Sequence, residues 1–136
     1  VHPMSPLPKL MWLKKHQPEV FNRGSRFISI KEWIVFQFTG QWLIDYSIAS
    51  ATGLFNTQNL EWHAEALRLA GIDASRLSQL VSPYHQVPIL SFYLQQWSLS
   101  GDTKIVMGGN DGCLANLGSG AMRKGELALT VGTSGA

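Results

Sequence analysis

A chain of 136 residues with 45% hydrophobic and 15% charged residues is one domain's worth of polypeptide, long enough to bury a core. Its net charge of +2, with no basic cluster larger than Lys14-Lys15 or Arg123-Lys124, argues against nucleic acid as a partner. The single Cys113 excludes an internal disulfide framework, the four scattered histidines His2, His16, His63 and His85 lack zinc-ligand spacing, and no apolar run reaches the roughly 18 residues of a membrane span. The sequence shows no leader pattern either, so the expectation is a cytoplasmic protein that engages no membrane.

Three prolines in His2-Pro-Met-Ser-Pro-Leu-Pro8 predict an extended entry. From Lys9, the residues Leu10, Trp12 and Leu13 with Lys14 and Lys15 suit a short amphipathic helix ending before Pro18. Pro18 can begin a second helical turn through Phe21, stopped by Gly24. Ser29-Ile-Lys-Glu32 is a capping box, in which the serine side chain accepts from the third helical amide and the glutamate reaches back. It predicts a helix carrying Trp33, Ile34 and Phe38, closed by Gly40. Gln41 to Ile44 reads as a brief strand or extended link, and Asp45 is most simply a cap for the small-residue segment that follows. Trp62 to Ala70 predicts an amphipathic helix stopped by Gly71. Asp73 is expected to cap a shorter helix carrying Leu77 and Leu80 and ending near Pro83. Pro88 argues for a loop or edge strand, and Tyr93 to Trp97 for a helical turn.

Lys104 to Met107 is β-suited and bounded by turn signals, which predicts a short buried strand. Gly108 and Gly109 then remove side chains where the backbone must turn or a ligand must come close. Cys113 to Leu117 is helix-compatible, so Asp111 is expected at a strand-to-helix corner, the kind of place where open α/β sheets bind ligands. Asn-Asp-Gly is also an ordinary turn, and an aspartate there can simply cap a helix. Both readings stand on local sequence alone. Further on, Arg123-Lys-Gly125 is a turn and Glu126 to Val131 alternates as a strand. Gly132-Thr-Ser-Gly135 after it could cradle a phosphate.

Three separated stretches fit one pattern. They are Met4-Ser-Pro-Leu-Pro-Lys-Leu-Met-Trp-Leu-Lys-Lys-His16; Thr39-Gly-Gln41 leading into Asp45-Tyr-Ser-Ile-Ala-Ser50; and the Gly108-Gly-Asn-Asp111 corner with Asn116-Leu-Gly118, Gly125-Glu126 and Gly132-Thr-Ser-Gly135 after it. In this order the chain resembles the FGGY carbohydrate kinases, which join two actin-like domains around a deep cleft. His2-Pro3-Met4, Asp111-Gly112 and Asn116-Leu117-Gly118 are most similar to the gluconate kinases of that family, whereas xylulose and glycerol kinases usually carry glutamine after the aspartate.

The resemblance implies an α/β fold, part of an actin-like (ribonuclease H-like) kinase domain, helix-rich with a few strands. It implies that residues 1–122 are the latter part of the N-terminal, sugar-binding domain and residues 123–136 the start of a C-terminal, ATP-binding domain. It implies an ATP-dependent transfer to a hydroxyl of gluconate, with Asp111 as general base and with ATP and Mg²⁺ as cofactors. Gly109, Asn110 and Gly112, with Trp33 and His2, are the implied substrate contacts; Gly132, Thr133 and Ser134 resemble a phosphate loop for ATP. No metal-ligating side chain is implied, Lys9 takes a supporting role, and a homodimer is left open. No Asp-x-Gly-Thr phosphate loop occurs in the sequence, so a piece of a longer protein, inactive alone, is expected. The alternatives are a kinase for xylulose, ribulose or glycerol, and a non-catalytic actin-like binding fragment.

Overall fold

Proline chemistry sets the first turns of the chain. In the computed structural model, which describes residues 3–129, helix α1 spans Pro6–His16 with Pro6 at its first position, where the missing N–H would have had no partner anyway. The helix therefore starts before the expected Lys9, because both Pro6 and Pro8 fall in the first turn, where proline is tolerated. Helix α2, Pro18–Arg23, again opens on a proline and ends at Gly24. Helix α3, Ile30–Thr39, has the full capping box: the Glu32 amide donates to Ser29 Oγ, and the Ser29 amide donates to the Glu32 carboxylate at 2.6 Å. Gly40 ends it with φ +71, a left-handed conformation that glycine adopts without strain.

Strand β1, Leu43–Asp45, leads directly into the short helix α4, Tyr46–Ser50. A small hairpin follows, β2 Phe55–Asn56 against β3 Glu61–Trp62. Helix α5, Ala64–Ala70, starts after the expected Trp62 because Trp62 pairs with Phe55 and the His63 ring caps the helix, accepting from the Ala66 amide at 3.3 Å. The helix expected after Asp73 does not form. Asp73 caps a single 3-10 turn, Ala74–Arg76, and the chain then enters β4, Gln79–Val81, parallel to β1 with Ile44 opposite Leu80. Pairing with β1 outweighs the weak helical preference of so short a stretch.

Strand β5, Gln86–Pro88, pairs antiparallel with β6, Lys104–Val106, and helix α6, Ser91–Gln96, lies between them in sequence. Proline sits at an end of β5, as its missing donor requires. The strand expected to be buried is instead exposed at Lys104 and Val106; the buried residue is Met107, just past its end. Helix α7, Asp111–Gly118, follows. Glu126 to Leu129 forms no strand, and the remainder of that expected strand lies outside the described residues.

Two cores hold these elements. One gathers Leu7 and Leu10 of α1, Phe21 of α2, Leu54, Ala66, Leu67, Ala70, Ile72 and Leu77. The other gathers Val35 of α3, Leu43 of β1, Val81 of β4, Val87 of β5 and Met107. Each large side chain so buried contributes about 1.5–3 kcal/mol. Arg76 bridges the 3-10 turn to α2: its guanidinium donates to the Phe21 and Gly24 carbonyls and lies 4.5 Å from the Phe27 ring centroid. Among the described residues, no helix is long and apolar enough to cross a membrane.

Candidate functional site

The glycine corner is fixed by the second core. Met107, 4% exposed, packs in that core and its amide donates to the His85 carbonyl at 3.0 Å. The Gly108 amide donates to the Pro83 carbonyl at 2.8 Å, and Gly108 takes φ +64, where a side chain would be strained. The chain then reaches Asn110, whose side chain accepts from the Cys113 amide at 2.8 Å and so caps α7. Asp111 is the first residue of that helix and is exposed, with one carboxylate oxygen accepting from the Gly112 amide at 2.9 Å. The strand-to-helix corner is thus where the sequence placed it. The capping duty that local sequence offered to Asp111 belongs to Asn110, which leaves the aspartate facing solvent.

A second segment reaches this corner. Asp45 is fully buried at the start of α4, where it accepts from the Ser47 and Ile48 amides at 3.0 and 3.1 Å and from the Ser47 hydroxyl. Lys31 of α3 pairs with its other oxygen at 2.5 Å. Burial alone would raise the Asp45 carboxyl, but hydrogen bonds from Lys31, Ser47 and the Ile48 amide, with the Lys31 charge, outweigh it and hold the group below the usual carboxylate range. Asp45 is therefore the cap that its position predicted, with an ion pair that nothing local announced. Ser47 does more than touch Asp45: its oxygen accepts from the Asn110 amide at 2.9 Å. A Cβ on Gly109 would come within 3.3 Å of that same oxygen, so the absence of a side chain permits the approach.

A cavity of about 940 Å³ lies elsewhere, between α1, the Arg26–Ser29 segment and α4. Its walls include Met4, Lys9, Trp12, Phe27, Ile44 and Ile48, so the first matched motif forms one side. Ile44 and Ile48 flank Asp45 and Ser47 in sequence, but Asp111 does not line this space. The lining is mostly apolar, and its buried Glu32 is committed to the capping box. Trp33 sits on α3, 47% exposed, and does not line the cavity. The structure thus places Gly109, Asn110, Asp111 and Gly112 on one corner and adds Ser47 to them. His2, Gly132, Thr133 and Ser134 lie outside the described residues. Among the described residues, no three His, Cys, Asp or Glu side chains converge on a point that could hold a metal ion.

Ser47 and Lys31 escaped sequence reasoning. The available signal was the Asp45-Tyr-Ser-Ile-Ala-Ser50 stretch, read there only as a capped, small-residue turn.

Residues 1–118 match the N-terminal domain of the FGGY family of carbohydrate kinases. The chain is 43% identical over 140 residues to a gluconokinase of Bacillus subtilis (strain 168), covering all of this chain and 27% of that protein. It superposes with a TM-score of 0.93, at 38% identity, on a gluconate kinase of Lactobacillus acidophilus, covering 98% of this chain and 27% of the other. A ligand-bound xylulose kinase of the same organism gives the same TM-score and identity, over 98% of this chain and 28% of that one. The chain spans about a quarter of the length of the curated relatives that it matches.

Proposed function

The chain belongs to the FGGY family of carbohydrate kinases, with the α/β fold of their actin-like domains, and from that membership we propose that the full-length protein transfers the γ-phosphate of ATP to a hydroxyl of gluconate. The observation that carries the reading is Asp111, an exposed carboxylate on a corner held from two sides. An alcohol is a weak nucleophile, and its proton must leave as its oxygen closes on phosphorus. Asp111 accepts that proton while the bond between the γ-phosphorus and the bridging oxygen breaks and ADP departs. The sugar approaches over Gly109, Asn110 and Gly112, with Trp33 and His2 as further contacts in the same proposal.

Residues 123–136 begin the ATP-binding domain in this reading, and the amides and hydroxyls of Gly132, Thr133 and Ser134 cradle the phosphates. Mg²⁺ enters in this reading as the ion that accompanies ATP. Closure of the two domains excludes water and suppresses ATP hydrolysis. A cytoplasmic setting belongs to the same reading.

Gluconate is favoured by Gly112 after the aspartate and by the gluconokinase at 43% identity. A ketose acceptor is the second reading, favoured by the xylulose kinase that superposes equally well. A coupled ADP-release assay of the full-length protein with gluconate, xylulose, ribulose and glycerol separates them. The highest kcat/KM is expected for gluconate, and turnover of xylulose with none of gluconate would replace the substrate.

A further inference from the structure

Asp45 already caps α4 with its carboxylate, yet the Ser47 hydroxyl is not idle. It donates to Asp45 and accepts from the Asn110 amide at 2.9 Å, one residue before Asp111. Its donor direction is fixed by a carboxylate that is itself wholly buried and clamped by Lys31. The oxygen lone pairs are therefore aimed, and a backbone amide of the corner lies on one of them. Gly109 lets the corner sit that close. We propose that Ser47 is a positioning residue for the reaction: through the Asn110 amide it sets where the first turn of α7 begins, and with it where the Asp111 carboxylate stands relative to the acceptor hydroxyl. The proposal rests on the reading of Asp111 as general base.

The reach of the effect follows from geometry. Displacing a base by an ångström misaligns proton transfer at a cost of about 100-fold in rate, and because Gly109, Asn110 and Gly112 on the same corner are the proposed sugar contacts, ground-state binding shifts with it but by less. Ser47 touches neither sugar nor ATP in this scheme, so its removal acts only through the corner, mainly on kcat and less on KM.

The test uses the full-length protein with Ser47→Ala, Ser47→Thr, Gly109→Ala and Asp111→Asn. Ser47→Ala is expected to lower kcat by about 10- to 100-fold with a smaller rise in the sugar KM. Ser47→Thr, which keeps the hydroxyl, recovers most of that loss. Gly109→Ala leaves the hydroxyl in place but crowds it from the other side, and is expected to lower kcat even if Ser47→Ala does not fold, with a larger rise in sugar KM because the sugar approaches over Gly109. Amide hydrogen exchange supplies a readout independent of catalysis: Asn110 should exchange about tenfold faster in Ser47→Ala, the loss of one hydrogen bond. Unchanged kcat in Ser47→Ala, beside an Asp111→Asn variant that has lost turnover, overturns the positioning role and leaves the base intact. If Asp111→Asn keeps its turnover, the base reading fails. In that case an Asn110 exchange rate unaltered by Ser47→Ala also overturns the structural half of the proposal, and an accelerated one sustains it.

Discussion

Lys31 and Asp45 meet at 2.5 Å, the carboxylate wholly buried and the lysine side chain 30% exposed, so that one charge of the pair has no recourse to water. Removing the lysine leaves a buried anion with only its helix-capping and hydroxyl partners. Breaking a fully buried pair costs about 3–5 kcal/mol, and the partial exposure of Lys31 reduces this. Lys31→Met is expected to lower the unfolding free energy by about 2 kcal/mol, read from urea titration. A change below the error of the titration would mean that the pair contributes nothing net.

The same pair sets an acid limit. Because the Asp45 carboxyl is held below its ordinary value in the folded state, folding is favoured by its ionised form. The contribution is complete above about pH 4, the unfolded aspartate range, and is lost as the pH falls through the lower folded value. Unfolding free energy should fall with acid in that window, and Asp45→Asn should flatten the fall while lowering stability near neutrality. Asp73 and Asp102, held low by hydrogen bonds from Ser75 and Ser100, act in the same direction, but both are exposed and add little.

Asp111→Asn keeps the shape of the corner and removes the proposed proton acceptor. In the full-length protein it should lower kcat by about 10²–10⁴ with sugar binding retained, measured by steady-state ADP release and by calorimetric titration of gluconate. Turnover within a few-fold of wild type would take the base role from Asp111.

Ser29→Ala removes the acceptor half of the capping box while leaving Glu32 in place. A loss of about 1 kcal/mol in unfolding free energy is expected by denaturant titration. Ser29→Thr, which preserves the acceptor, should restore most of it.

What could be read from sequence was what neighbours in sequence decide. The Ser29 box, the Gly40 stop, the Asp45 cap and the turn at Gly108 each follow from side chains within a few residues, and each formed as expected. Asp111 at a strand-to-helix corner was legible for the same reason. The misread stretches are those decided by distant partners. Leu77 to Val81 looked helical until β1 supplied a parallel neighbour, and Trp62 left α5 to pair with Phe55. The assignment of the α7 cap to Asn110 instead of Asp111 turns on side-chain direction, which adjacent Asn and Asp do not declare. Ser47 was legible only as part of a capped small-residue turn, since its partner lies in another part of the chain.

That partner is 63 residues away. Closing a loop of such length costs on the order of 3–4 kcal/mol in chain entropy, while one hydrogen bond returns about 1 kcal/mol. The Ser47–Asn110 contact therefore cannot draw the chain together; it waits for the β1–β4 pairing and the core around Met107 to close the loop first. On the proposed role of Asp111, any loosening of either segment would be read in the turnover of the full-length protein.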